Sequence, residues 1–252
     1  MEFKDKVAIS TGAASGMGLL FAESFAALGG HVVMCDVNES VLIEKANEIN
    51  ERGAGRALAV VCDVCDYSQV KAAVGKAKQT FGRIDIVANF AGGYVRRLKQ
   101  VDPSLEFPEV PIEIFDFGID LNLKGPFYFT HAVLPVMREQ RSGLILYLGS
   151  ISGMEGDGSG MEYPACKSAL MNGLVKSAAQ YGSRYGIRAV CVSPGPVLTR
   201  AAMANMKTLL GRAAEPKEII DLILYLASEK GAFITGENIM IDGGRNAMWR
   251  GN

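Results

Sequence analysis

Tyr163-Pro164-Ala165-Cys166-Lys167 sets a phenol and an ammonium four residues apart, so on a helix both lie on one face. Taken alone, that spacing arises by chance in many helices. Ser150, 13 residues before Tyr163, closes the apolar run Leu144–Leu148. Asn122 falls inside a helical pattern, an odd place for a short polar side chain that favours caps and turns. Near the N-terminus, Thr11-Gly12-Ala13-Ala14-Ser15-Gly16-Met17-Gly18 follows an apolar strand and opens a helix. Glycines allow a tight turn and close backbone approach, and the helix start offers free N–H groups to a pyrophosphate. Asp36 ends the second apolar run, 18 residues beyond Gly18. A carboxylate there can accept hydrogen bonds from both hydroxyls of an adenosine ribose and repels a 2′-phosphate. Ser15 and Val37 beside it carry no cation, so NAD is favoured over NADP; a turn- or helix-capping Asp is compatible with the same residue.

Two other chemistries are weighed on the same residues. Gly149-Ser150-Ile151-Ser152-Gly153 resembles a nucleophile elbow, but the middle position of that pattern must be Ser and here is Ile151. The chain has only two histidines, His31 and His131, both read as structural. Cys62-x-x-Cys65 invites a redox or zinc reading, yet no second cysteine pair or nearby histidine completes a tetrahedral site, and no metal is expected.

The elements that must position these groups follow from hydrophobic pattern. Apolar strands at Val7–Ser10, His31–Asp36, Arg56–Cys62, Ile84–Ala88, Leu144–Leu148, Ile187–Val192 and Asn238–Ile241 alternate with helical stretches. Among the helices are 39–51, 67–81, a long one over 112–139 and another over 161–185. Continuous rather than alternating apolar character marks strands buried on both faces, as in a parallel sheet. An α/β fold is therefore expected: a doubly wound, mostly parallel seven-stranded sheet with helices on both faces, Rossmann-like. No linker, repeat or low-complexity tract divides residues 1–252, which are read as one domain.

Composition narrows the partners. The 252 residues carry 26 Lys+Arg and 27 Asp+Glu, a net charge of −1 that leaves no footprint for nucleic acid or an anionic membrane. No apolar run approaches the length of a membrane span, and no leader pattern precedes the first strand. Five scattered cysteines fit free thiols in a reducing compartment, and a cytoplasmic location is expected.

With these motifs in hand, the chain resembles the short-chain dehydrogenase/reductase family over nearly its whole length. The resemblance rests on the Thr11–Gly18 turn, Asp63-Val64, Asn89-Phe90-Ala91-Gly92, Asn122, Ser150, Tyr163 and Lys167. It continues with Pro194-Gly195-Pro196-Val197-Leu198-Thr199, Ile234-Thr235-Gly236-Glu237 and Asp242-Gly243-Gly244. It implies hydride transfer between NAD(H) and a secondary alcohol or ketone. Tyr163 would be the general acid/base; a phenol is a poor base near neutrality, and Lys167 would favour its phenolate while holding the nicotinamide ribose. Ser150 would bind the substrate oxygen, and Asn122 would anchor a relay water. Cofactor contacts would come from Gly12, Ser15, Gly16, Met17, Gly18, Asp36, Asp63, Val64, Asn89, Ala91, Gly92, Tyr163, Lys167, Pro194, Gly195, Val197 and Thr199. A catalytically silent dinucleotide sensor or scaffold is the alternative, disfavoured because the tetrad is intact.

Three departures from the family pattern stand out: Phe90 in place of a small or polar residue, a long stretch from Gly93 to Phe115, and a short one from Thr199 to Arg212. The substrate stays open among a 3-oxoacyl thioester, a steroid or bile-acid hydroxyl, and a sugar or polyol. Arg96, Arg97 and Lys99 could meet an anion but are read as a solvated loop face, since acidic residues follow closely. Glu155 and Asp157 would suit hydroxyl-rich substrates; Met154 and Met161 would suit an apolar one or fill the core. A homotetramer is expected by resemblance, a dimer as fallback, with Leu209, Met248 and Trp249 as candidate interface residues.

Overall fold

The computed structural model describes residues 2–248; Trp249 lies outside them. Seven strands form one sheet: β1 (Val7–Thr11), β2 (His31–Asp36), β3 (Ala57–Val61), β4 (Ile86–Asn89), β5 (Gly143–Leu148), β6 (Ile187–Pro194) and β7 (Glu237–Ile241). Their order is β3-β2-β1-β4-β5-β6-β7, and every pairing is parallel, one step stricter than the expected mostly parallel sheet. All five residues of β1 are buried, which is why its sequence shows no polar alternation. β1 pairs with β2 on one side and β4 on the other, so the winding reverses there and a crevice opens at the strands' carboxyl ends. Thr11, Asp36, Asn89, Leu148 and Pro194 are the last residues of their strands and share that edge.

Ten α-helical segments connect the strands: α1 (Gly16–Ala27), α2 (Glu39–Arg52), α3 (Tyr67–Phe81), α4 (Val95–Leu98), α5 (Ile112–Ile119), α6 (Gly125–Gln140), α7 (Ser152–Glu155), α8 (Glu162–Ser168), α9 (Val175–Gly182) and α10 (Pro216–Ala227). Among the described residues, no helix is long and apolar enough to cross a membrane. Local chemistry sets the ends. Asp66 accepts from Ser68 N and Gln69 N to start α3, and Gly82 at φ 76° closes it. The two long helices expected from periodicity are each interrupted. A π-helical turn, Asp120–Lys124, separates α5 from α6, and another, Ala169–Leu174, separates α8 from α9. Such turns reset which side chains face inward, and hydrophobic periodicity does not register them. The second ends earlier than expected, at Gly182, with a 3₁₀ turn over Ser183–Tyr185.

Both faces of the sheet are packed. On one, Phe3, Phe21, Phe25, Ile219, Ile220 and Ile223 cover the strands. On the other, Phe129, Val133, Leu170 and Val175 do so, and there the buried hydroxyl of Tyr147, on β5, is 2.7 Å from Thr130 Oγ1. Burying each such side chain is worth about 1.5–3 kcal/mol. These faces fix the backbone that carries the strand-end residues.

Candidate active site

The turn after β1 is built for an anion. Gly12 and Gly16 sit at φ 64° and 58°, where a side chain is strained. A Cβ on Gly18 would lie 2.4 Å from Gly12 O, so only glycine lets α1 start this close to the strand. Ser15, at the N-cap, makes no side-chain capping bond, and the first turn of this 12-residue helix holds no acidic residue. Its N–H groups are therefore open to a phosphate. Thr11 Oγ1 accepts from Phe90 N (3.0 Å) and Ala91 N (2.9 Å), tying the ends of β1 and β4 together. Asp36 braces the turn, accepting from Ala14 N and Asn38 N at 3.0 Å each. Asn89 donates to Leu146 O at 3.0 Å, and its buried Oδ1 has no partner among the described residues. This cradle and the acidic strand end fit a dinucleotide.

A cavity of about 490 Å³ continues along the edge. Ser150, Tyr163 and Lys167 line it together, as do Met17, Gly92, Pro194, Gly195, Val197 and Thr199. Lys167 is buried, donates to Leu148 O at 2.7 Å and lies 5.5 Å from the centre of the Tyr163 ring. Ser150 Oγ accepts from Ser152 N at 3.2 Å. Asn122, wholly buried in the first π turn, does not line the cavity but shapes it from behind. Its side chain accepts from Gly93 N (2.8 Å) and donates to Gly93 O (3.0 Å) and Gly118 O (3.1 Å). Gly92 is at φ 150°, and a Cβ there would lie 2.7 Å from Asn122 Oδ1. Gly12, Ser15, Gly16, Gly18, Asp36, Asp63 and Val64 lie outside this cavity, on the β1–β2–β3 half of the edge. Asp63 accepts from Cys65 N at 2.9 Å, and Val64 is buried against Gly125.

Several expectations are corrected. Arg96 is no solvated loop residue: it is buried and donates to Ser159 O (2.7 Å), Leu105 O (2.7 Å) and Asp102 O (3.3 Å). Carbonyls, not the nearby acids, hold it. Arg97 and Lys99 are exposed, as expected; Lys99 lies 3.8 Å from the Phe117 ring centre, and Arg97 lines the cavity. Glu155 is ion-paired with Arg245 at 3.0 Å rather than lining the cavity. Met154 and Met161 are exposed and line neither core nor cavity; Met203 and Met206 line the cavity instead. Phe90 packs on Phe21, ring centres 5.4 Å apart, while also lining the cavity. His31 Nδ1 accepts from Arg56 N, and His131 Nδ1 meets the Tyr67 hydroxyl, so both rings are engaged away from Ser150. The five cysteines are free.

Sequence reading missed Tyr94 and Arg200, which also line the cavity. Their places directly after Gly92-Gly93 and Thr199 were the available signal. It also missed Glu162, next to Tyr163: both carboxylate oxygens are buried without a hydrogen-bond partner among the described residues, and burial pushes the acid above its ordinary range.

Known proteins agree with this architecture. A family model described as enoyl-(acyl carrier protein) reductase matches residues 12–246. The trans-4-hydroxycyclohexanecarboxylate dehydrogenase of Sinomonas cyclohexanicum is 38% identical, across 96% of this chain and 93% of its own. The 7alpha-hydroxysteroid dehydrogenase of Bacteroides fragilis is 32% identical, across 96% and 95%. A crystal structure of a 3-oxoacyl-[acyl-carrier protein] reductase with bound NAD from Brucella melitensis superposes with a TM-score of 0.85 at 30% identity, covering 96% of this chain and 92% of that one. Sheet order, glycine turn and relatives together place the chain in the short-chain dehydrogenase/reductase family of oxidoreductases.

Proposed function

We propose that the chain, acting as one catalytic domain, is an NAD-dependent oxidoreductase that interconverts a secondary alcohol and its ketone, with Tyr163 as general acid/base. The observation that carries this reading is Ser150, Tyr163 and Lys167 lining one cavity, which Met17 of the glycine turn also lines. The names of the relatives support the bond class: a 4-hydroxy ring acid, a 7alpha-hydroxysteroid and a 3-oxoacyl chain each carry a secondary alcohol or its ketone.

When bound, NAD supplies the acceptor for the hydride, or NADH its donor. Glycines 12, 16 and 18 would admit its pyrophosphate and Asp36 its adenosine ribose; a second charge on that ribose would face the carboxylate, which disfavours NADP. The Asp63-Val64 turn would flank the adenine, and the Pro194–Thr199 stretch would set the nicotinamide face. Ser150 Oγ, engaged only by one backbone N–H, has its own proton free to donate to the substrate oxygen. Tyr163 takes the proton of the alcohol or returns it to the ketone. Lys167, fixed by Leu148 O, sets an ammonium 5.5 Å from the centre of the Tyr163 ring. Both N–H donors of the Asn122 amide are used, on Gly93 O and Gly118 O, and its Oδ1 accepts from Gly93 N, which leaves the main chain of its π turn as the place to hold a relay water.

A homotetramer, with a dimer as fallback, is the assembly we propose. Ile112, Ile119 and Phe127 on the α5–α6 arm and Tyr181 on α9 are large apolar side chains left exposed, which supports pairing through these helices. The free cysteines support a reducing compartment, the cytoplasm. The function is tested by following NADH formation with purified protein and a panel of secondary alcohols, NAD against NADP. Turnover with NAD is expected; NAD binding with persistent silence across a widened panel would favour a cofactor sensor.

A further inference from the structure

Two arginines enter the cavity from opposite chain segments. Arg97 comes from α4, after β4, and Arg200 from the stretch after β6; both line the cavity with Tyr163. Neither has an ion pair among the described residues. Among the described residues the Arg200 side chain meets only the Met203 sulfur, at 3.8 Å, and the Arg97 guanidinium has no hydrogen-bond partner. The neighbouring cations are occupied: Arg96 by three carbonyls, Lys167 by Leu148 O, Arg245 by Glu155. Asp157 is the one carboxylate among the described residues lining the cavity, and its Oδ1 accepts from Ser159 N (2.9 Å) and Ser159 Oγ (2.7 Å).

The two guanidiniums feel each other. Burial and the charge of Arg97 both hold Arg200 below its ordinary range. Like charges turned into one cavity are unfavourable until an anion lies between them, and the guanidinium fork matches an oxyanion in two-point geometry. Val197, Met203, Met206 and the Tyr94 ring give the same lining an apolar part, beside the hydroxyls of Ser152, Ser159 and Thr199.

We propose that Arg97 and Arg200 form an oxyanion subsite selecting a secondary alcohol or ketone that carries a carboxylate on an apolar body. The proposal rests on the oxidoreductase reading of this same cavity. A carboxylate of the substrate itself is favoured over a carrier phosphate because subsite and Tyr163 share one cavity of about 490 Å³. The phosphate of a carrier arm would lie many bonds from the reacting carbon. Of the loop cations considered from sequence, only Arg97 has this role, and its partner Arg200 lies in the short stretch after Thr199, where sequence reading named no cation.

The test has a binding arm and a turnover arm. With NAD-loaded protein, titration calorimetry compares hexanoate, hexanamide and inorganic phosphate. Hexanoate is expected to bind at least about tenfold tighter than hexanamide, and Arg97→Gln or Arg200→Gln each to remove about tenfold, the weight of one charge-assisted hydrogen bond. Retained NAD affinity checks that each variant is folded. In the turnover arm, the ratio of kcat/KM for 5-oxohexanoate to that for 2-hexanone falls about tenfold in each variant, through KM. Equal binding of hexanoate and hexanamide by the wild type overturns the subsite. So does tighter phosphate binding that the variants lose, which would assign it to a carrier phosphate. Silence toward both ketones counts against the oxidoreductase reading and leaves the calorimetric comparison to decide the subsite alone.

Discussion

Thr11→Val replaces a hydroxyl by a methyl at nearly constant shape, at a residue 1% exposed where the first strand meets the glycine turn. Its Oγ1 is the acceptor for both Phe90 N and Ala91 N, at 3.0 and 2.9 Å. Valine keeps the packing and leaves one buried and one partly buried N–H group without that acceptor. Each such loss is worth about 1–3 kcal/mol, so the fall in stability is about 2–6 kcal/mol. Thr11→Ser keeps the acceptor and loses one methyl, for about 0.8 kcal/mol. Urea unfolding followed by circular dichroism, at one fixed protein concentration, separates the two variants by their midpoints at equal slope. NAD affinity should fall in the valine variant as well, because Gly12 rests on Ala91: a Cβ on Gly12 would be 3.0 Å from its Cα. A valine variant as stable as the serine variant would refute the reasoning that this one hydroxyl joins the ends of β1 and β4.

Asp36→Ala combined with Val37→Arg should invert cofactor choice, the kcat/KM ratio of NADP to NAD rising roughly 10–150-fold as charge-assisted bonds to the ribose are lost; an unchanged ratio would remove Asp36 from the cofactor site. Glu162 gives a pH dependence whose sign follows from burial. Its folded acid titrates above its unfolded value, so the fold holds a proton that the unfolded chain releases. That stabilising contribution is complete below the unfolded value of about 4.3 and is lost as pH rises through the folded one. Glu162→Gln cannot ionise, so its Tm relative to wild type should climb between about pH 4 and pH 8. Thermal unfolding across that range checks it; a pH-independent difference would mean that the carboxyl has a partner.

The sheet was legible because its strands are apolar on both faces, and the site was legible wherever glycine or a strand end forced it. Gly12, Gly16 and Gly18 could be read from steric need, and Asp36 from its place at the end of β2. What stayed hidden depends on contacts between distant segments. Asn122 looked misplaced in a helix because a π turn, invisible to periodicity, lets its amide close on Gly93. Arg96 looked solvated because acids follow it in sequence, whereas its partners are carbonyls of residues 102, 105 and 159. Glu162 gave no sign of burial, since its neighbour across the helix pair is Gly118, whose missing side chain makes the room.

The most direct test of the account is Tyr163→Phe, with turnover of the best alcohol from the panel and NAD affinity measured on the same preparations. Removing one hydroxyl should lower kcat about 10²–10⁴-fold, the usual share of a positioned acid/base, while NAD binds as in wild type. A variant that keeps wild-type kcat would contradict the assignment of Tyr163 as the group that moves the proton.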